Sequence, residues 1–347
     1  MKIKRLAALL LSGVMAASML IGCGSVNKDA VVATFDETEI KLGIANFAAR
    51  LQQASADDFY VAYFGAEVWS SDLYGNGTTM ESSMKDSVMQ NLFDLYTLEA
   101  HMVEYDVELT EDEKTAITQA ASDFMAANDK EALDALGAEQ EIVEEYLTLM
   151  TIQDKMYDAI IADVDTNVSD EEANTSAYSY VRVAKDSYTD DEGNVVAYTE
   201  EELTELAETL EAFVTEAQED TLETVAESYG YTVSTGTFTA EDETLNETVL
   251  TTLKGLDEGE ISGVIDTETN YYIVRLDAKT DAEATELTRQ NIISERESTL
   301  YADTLSGWES EHEWTVKEKV WETVTFDNLF TTYVETAETE AVEATEQ

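Results

Sequence analysis

The sequence of 347 residues contains no proline, one cysteine and only two histidines. Without proline, folding of this chain never waits on the slow isomerisation of an X-Pro bond. The single cysteine, Cys23, excludes a disulfide within the chain. His101 and His312 stand far apart in the sequence, so we predict neither a zinc site nor a triad built on histidine, and no other cofactor.

Basic residues are also scarce, with 19 Lys and Arg against 75 Asp and Glu, which gives a formal net charge of −56. Such a surface repels nucleic acid and anionic lipid, and it favours solubility or basic, flexible partners. The sequence has none of the phosphate-loop, serine-hydrolase or HExxH motifs. The acidic stretch 190–194 lacks the spacing of an EF-hand loop, so we interpret residues 186–194 as a solvated polar loop.

The N-terminus has the pattern of an export signal. Lys2, Lys4 and Arg5 precede an apolar run that ends in Leu-Ile-Gly-Cys at Cys23. This ending resembles the bacterial lipobox, in which the cysteine is diacylated and becomes the new N-terminus. We therefore predict a signal peptide over 1–22, a lipidated tether over 23–30 and an extracytoplasmic protein anchored to the membrane by lipid. An ordinary leader with a chance cysteine is the alternative.

Helical periodicity dominates 31–170 and returns over 281–326. After a short strand near 31–35, an apolar stripe of period 3.6 predicts a helix from about residue 40, and further helices are predicted near 80–105 and 139–162. Thr110 and Glu113 form a capping box for another helix. Residues 55–79 are expected to be irregular, 281–312 a long helix, and 335–347 a disordered acidic tail.

Residues 176–279 have a different pattern, in which strands and helices alternate. Strand-like runs lie near 178–183, 231–238, 261–265 and 271–276, and helical patterns cover 199–217, 222–229 and 245–253. Thr199 with Glu202 gives a second capping box, and Gly230 is a plausible C-cap. The predicted order is β-α-α-β-α-β-β, and the fold class of the whole chain is α+β.

These regions resemble one known architecture. The strand, turn and helix from Val32 to beyond Ile40, and the step at 107–113, look like the N-terminal chaperone segment of PrsA- and SurA-type foldases. The stretch 256–265, LDEGEISGVI, is similar to the parvulin segment LkpGEvSepV, although the family's prolines are absent. The stretch 271–276, YYIVRL, is similar to the strand YHIIkL that closes the parvulin fold.

The resemblance implies a parvulin-type peptidyl-prolyl isomerase domain, but its two central histidines are replaced by Tyr180 and Tyr272. The phenylalanine that the resemblance implies for the apolar proline pocket aligns near Leu250, which is apolar but smaller. Isomerisation breaks no covalent bond, so a shaped apolar pocket with a few hydrogen bonds can promote it. Two tyrosines offer hydroxyl groups but not the combined donor and acceptor geometry of imidazole. Whether the domain is catalytic is left open, and two core tyrosines on adjacent strands are the alternative interpretation.

Two functions follow from this reading. The first is a lipid-anchored, extracytoplasmic foldase or chaperone that binds unfolded or newly exported polypeptides and is weakly active or inactive as an isomerase. The second is a non-catalytic envelope scaffold or a solute-capturing lipoprotein. Neither involves nucleic acid.

Overall fold

The computed structural model describes residues 14–18, 26–189, 193–327 and 329–333. The predicted lipidation site Cys23, most of the predicted signal peptide, the predicted tail 335–347 and residues 190–192 of the acidic loop lie outside the described residues. No helix in these ranges is long and apolar enough to cross a membrane.

The described chain contains both helices and strands, which confirms the α+β class. The strands are β1 Val14–Ser18, β2 Val31–Phe35, β3 Thr38–Lys41, β4 Thr175–Ala184, β5 Ser187–Thr189, β6 Val195–Ala197, β7 Ser234–Thr239, β8 Ile265–Asp266, β9 Asn270–Ala278, β10 Trp314–Val316 and β11 Leu329–Tyr333. The α-helices are α1 Leu42–Phe64, α2 Met80–His101, α3 Glu111–Ala127, α4 Lys130–Leu136, α5 Gln140–Ile161, α6 Asp170–Ala173, α7 Glu200–Ala217, α8 Leu222–Tyr229, α9 Glu247–Gly255, α10 Ala282–Glu309 and α11 Glu318–Trp321.

The chain divides into two compact units. The first, which we call the helical unit, is formed by the described residues up to Asp163 together with those from Ser298 onward. The second, which we call the sheet unit, is the continuous stretch from Val164 to Glu297. The helical unit is therefore built from both ends of the sequence.

A small sheet joins those two ends within the helical unit. Strand β2 pairs antiparallel with β3 on one side and with β10 on the other, where Trp314 lies opposite Phe35. Strand β1 pairs antiparallel with β11. The core beneath is made by apolar faces of α1, α2 and α5, and residues from α11 and the segment after it complete this core.

The region 55–79 is less irregular than the sequence predicts. Helix α1 continues to Phe64 and ends at Gly65, whose φ of 88° suits glycine, and a 3₁₀ turn follows at Val68–Ser70. The polar residue Asp57 interrupts the apolar pattern there, yet it is fully buried and accepts a hydrogen bond from Trp69 Nε1 at 2.6 Å. Hydrophobic periodicity predicts a helix only from apolar residues, so the buried Asp57 breaks the pattern and this part of α1 is not predicted.

The helix caps agree with the sequence. Thr110 and Glu113 form the predicted capping box at the start of α3. Thr199 and Glu202 do the same for α7. Gly230 ends α8 in the left-handed conformation. Each cap satisfies backbone groups that a helix end leaves without partners.

The sheet unit contains a four-stranded antiparallel sheet in the order β7-β4-β9-β8. Alternate residues of β4 and β9 face opposite sides. Val181 and Ile273 pack with α7 and α8, whereas Tyr178 and Val274 pack with α9. The element order agrees with the predicted β-α-α-β-α-β-β, with a short helix α6 before it and a hairpin added after β4.

That hairpin is a correction to the predicted polar loop over 186–194. Strand β5 pairs antiparallel with β6, and Tyr188 lies opposite Val196. The Tyr188 ring also lies 4.8 Å from that of Tyr198. Cross-strand contacts between aromatic and β-branched residues stabilise such a hairpin despite its acidic surroundings.

The stretch 256–265 forms less strand than expected. Gly259 has a φ of 82°, and its N–H donates to Leu276 O at 2.7 Å. The Val274 N–H donates to the Ser262 hydroxyl at 3.0 Å. Because a side chain replaces a backbone acceptor there, only Ile265–Asp266 pairs as a strand, and Ile261 makes an isolated bridge.

We predict that the helical unit loses stability through Glu309 as the pH rises from 4.5 to about 7. Burial, and then the neighbouring Asp94, raise the pKa of Glu309 from 4.5 to about 7. A carboxyl with a raised pKa contributes stability that is present below pH 4.5 and is lost as the pH rises through 7. Glu309→Gln should thus melt roughly 2–4 °C above the parent at about pH 8, because about 1 kcal/mol remains after solvent screening.

Thermal melts at about pH 4 and pH 8 test this prediction, since the two proteins should melt alike at the lower pH. Glu311→Gln, at an exposed position two residues further on, is the matched control. Equal pH dependence in the parent and Glu309→Gln would contradict the assignment.

Candidate functional site

Three residues singled out from the sequence meet on the α9 side of the sheet. Tyr180 on β4, Tyr272 on β9 and Leu250 on α9 belong to one apolar cluster. The antiparallel register places Tyr180 opposite Val274 and Arg182 opposite Tyr272, so the two tyrosines are diagonal neighbours on one face. Their ring centroids are 6.3 Å apart. The structure thus brings these residues together, while their roles stay predictions.

A third tyrosine, which the sequence analysis did not single out, completes the aromatic group. The ring of Tyr178 stacks on that of Tyr180 with centroids 5.4 Å apart, and it meets Phe238 edge-on at 5.8 Å. Burial, and then the nearby Tyr180, raise the pKa of Tyr178, so its hydroxyl stays protonated at neutral pH. The sequence could have indicated Tyr178, because residues two apart on a strand, such as Tyr178 and Tyr180, lie on the same face of the sheet.

Gly236 makes room for this group. It lies opposite Tyr178 in the pairing of β4 with β7. A Cβ atom at residue 236 would lie 2.7 Å from Cε1 of Tyr178, which is closer than nonbonded carbon atoms approach. The close approach of backbone and ring therefore requires glycine here.

The arrangement lacks the groups for most chemistry. Around Tyr178, Tyr180 and Tyr272 the cluster consists of aliphatic side chains and Phe238. Such a surface suits an apolar ring, and a phenol can donate a hydrogen bond to a carbonyl or accept one. Prolyl isomerisation requires only that a twisted amide be held better than a planar one. Apolar side chains with hydroxyl groups are chemically compatible with that requirement.

A separate cavity of about 520 Å³ lies in the sheet unit among α7, α8 and the stretch before β8. Arg275 contributes to its wall, and Glu223 and Asp277 already pair with that guanidinium at 2.8 and 2.6 Å. None of Tyr180, Tyr272 and Leu250 lines it. We therefore do not assign the cavity to the predicted site.

The two histidines, which are far apart in the sequence, lie close together in space. In the helical unit, His101 Nε2 lies 3.1 Å from His312 Nε2. Their Nδ1 atoms contact the carboxylates of Glu104 and Asp36, each at 2.8 Å. Trp308 stacks on His101 at 4.3 Å. Within the described residues no group of three or more His, Cys, Asp and Glu is placed to hold a metal.

The histidine contacts instead connect distant parts of the helical unit. An ionised carboxylate only accepts hydrogen bonds, so each Nδ1 donates to its carboxylate. The Asp36 carboxylate also accepts from Glu313 N at 2.8 Å. These side-chain contacts therefore connect the end of α2 and the residues after α10 to the β2–β3 turn.

One part of this chain matches a known protein family. Residues 168–289 match the PPIC-type PPIase domain, which confirms the parvulin resemblance for the sheet unit. No curated protein matches the chain in sequence.

Similar solved structures include three folding factors. The foldase protein PrsA of Lactococcus lactis is 15% identical, with 85% of this chain and 99% of that chain covered and a TM-score of 0.36. PrsA of Streptococcus pneumoniae is 17% identical, with coverages of 74% and 98% and a TM-score of 0.30. A SurA-like chaperone of Campylobacter jejuni is 12% identical, with coverages of 83% and 99% and a TM-score of 0.29.

We predict that Gly236→Ala disrupts the aromatic group. The added methyl group must displace Tyr178, and overpacking of this kind costs about 1–3 kcal/mol. The sheet unit should therefore melt at a lower temperature, and the near-ultraviolet circular dichroism of its tyrosines should weaken. The control is Gly255→Ala, where a Cβ atom meets nothing within 4 Å. Unchanged melting and unchanged tyrosine signals in Gly236→Ala would contradict the assigned packing.

Proposed function

We propose that this chain, which carries a PPIC-type PPIase domain over residues 168–289, is a folding factor for newly exported polypeptides. It works outside the cytoplasm, and acyl chains on Cys23 anchor it to the membrane. The observation that carries the proposal is this domain together with its apolar, tyrosine-lined face. A surface of that kind binds polypeptide, since proline rings and other apolar side chains are the groups it accommodates.

We further propose that binding outweighs catalysis in this protein. Tyr180 and Tyr272 stand where the resemblance places the family's histidines, and a phenol cannot offer the donor-plus-acceptor geometry of a neutral imidazole. Leu250 keeps the pocket apolar but is smaller than the phenylalanine that the resemblance implies. The domain should therefore hold X-Pro segments and isomerise them slowly.

An aggregation assay tests the proposal. An unfolded exported protein is diluted from denaturant with and without the purified protein, and light scattering is followed. We expect aggregation to be delayed at equimolar protein. A parallel assay with an X-Pro tetrapeptide should give a rate within roughly threefold of the uncatalysed reaction, because no imidazole supports the pocket.

The two assays separate the parts of the proposal. Fast isomerisation would overturn the inference that catalysis is weak and leave the folding role standing. If the protein neither delays aggregation nor speeds refolding, the folding role is wrong, and a scaffold or solute-capturing lipoprotein becomes the better description.

The lipid anchor is a separate prediction. Cys23→Ala should abolish incorporation of labelled palmitate in a bacterial host and move the protein from the membrane fraction to the soluble extracytoplasmic fraction. The physical reason is that two acyl chains provide stable anchoring, which the acidic body alone does not. Ser25→Ala, two residues away, is the control. Continued labelling and membrane retention of Cys23→Ala would contradict lipidation at this residue.

A further inference from the structure

Exposed aromatic side chains are concentrated at one place in the helical unit, the last turns of α1. Phe59, Tyr63 and Phe64 are 57%, 73% and 54% exposed. Elsewhere in the described chain, the large exposed apolar residues are Leu73 and Tyr74 in the loop that follows and the scattered Val103, Val195 and Leu287. Single exposed apolar residues need no explanation, whereas a group of them on one element marks an interaction surface.

These rings form a connected surface, which we call the aromatic patch and define as Phe59, Tyr60, Tyr63 and Phe64. Phe59 contacts Tyr60 and Tyr63 with centroids 5.5 and 4.7 Å apart, and Tyr60 contacts Phe64 at 6.1 Å. The spacing of four residues places Phe59 beside Tyr63 and Tyr60 beside Phe64 along the helix. The patch therefore offers several aromatic faces together rather than one.

The patch is also held rigidly on its inner side. Tyr60 meets the buried Trp69 edge-on at 5.6 Å, and the Trp69 indole donates to the buried carboxylate of Asp57 at 2.6 Å. Because Tyr60 is fixed in this way, its ring loses little side-chain entropy when a partner covers it. A small loss of side-chain entropy on this side favours binding of a disordered partner, because the partner itself loses entropy when it becomes ordered.

The charged residues near the aromatic patch indicate which class of partner it can bind. From residue 51 to residue 84 the sequence has no Lys and no Arg, whereas it has Asp58, Glu67, Asp72 and Glu81 in addition to the buried Asp57. The segment that carries the patch is therefore acidic, on a chain with a formal net charge of −56. These acidic residues repel nucleic acid and anionic lipid, and they also repel the same segment of a second copy.

We infer that the aromatic patch is a docking surface for unfolded polypeptide segments that carry both apolar and basic side chains. Apolar side chains of such a segment pack between the rings, while Lys and Arg lie over the exposed aromatic faces and near the acidic residues. This inference rests on the proposed folding role and names a surface for it outside the PPIC-type domain. It predicts that proline-free segments bind as well as proline-containing ones.

The test measures the affinity of a labelled, proline-free peptide that alternates Leu or Phe with Lys, by fluorescence anisotropy with the purified full chain. Phe59→Ser/Tyr63→Ser/Phe64→Ser should weaken binding about tenfold or more, because aromatic anchors dominate such interfaces. Val103→Ser/Val195→Ser/Leu287→Ser, which removes the same number of exposed apolar side chains elsewhere, should change it less than about twofold. Circular dichroism and melting of both variants check that they fold.

Two further peptides test the chemistry of the partner. Replacing Lys by Glu, or Leu and Phe by Ser, should each abolish measurable binding to the parent. Equal affinity of the patch variant and the parent would overturn the inference. So would a parent dimer that the patch variant loses in sedimentation, or patch-dependent binding to zwitterionic vesicles, since the occupant would then be a second copy or a membrane.

These outcomes are distinguishable from failure of the proposed function. If the parent delays aggregation and the patch variant does so equally well, the surface is wrong and the folding role remains. If the parent binds no peptide and does not delay aggregation, the folding role itself fails.

Discussion

The helical unit depends on a buried polar contact between helix α1 and the C-terminal segment. Arg50 and Asp57, one on each side of Gln53, are almost completely removed from solvent. Arg50 Nη1 donates to Gln53 Oε1 at 2.6 Å and to Thr325 O at 2.8 Å, and Asp57 accepts from Phe330 N at 2.6 Å. Burial lowers the pKa of Arg50 to about 10 and raises that of Asp57. Charges buried in this way are tolerated only because each has specific hydrogen-bond partners.

That contact explains how the ends of the chain become one unit. Two further backbone groups of this segment have polar partners on α2. Lys85 Nζ donates to Val324 O at 2.7 Å, and Glu81 accepts from Phe326 N at 3.0 Å. Phe326 and Phe330 then fill the apolar cores beside these contacts. Since residues far apart in sequence must meet, the helical unit closes only when the C-terminal segment is available. The sheet unit, continuous in sequence, carries no such requirement.

The sequence was sufficient wherever stability comes from local patterns. The capping boxes at Thr110 and Thr199 and the α+β class follow from spacing and are present in the structure. Even the meeting of Tyr180 with Tyr272 follows from strand alternation once the strands are known to pair. The sequence could not reveal the continuation of α1 past Asp57 or the contact of His101 with His312. Both depend on polar side chains whose partners lie far away along the chain, and hydrophobic periodicity has no signal for them.

The tyrosines of the PPIC-type domain show why fold and catalysis are separate questions in this chain. Tyr178, Tyr180 and Tyr272 are part of the core that joins α9 to the sheet, and Gly236 accommodates one of them. Packing of aromatic rings is therefore enough to keep this face in place without any imidazole. A rate enhancement needs interactions that are stronger in the twisted amide than in the planar one, and a phenol tied into the core has little freedom to supply them. In the proposed function, the apolar side chains of this face bind apolar segments. The exposed aromatic groups of the helical unit are proposed to do the same, so the two proposals assign polypeptide binding to each unit.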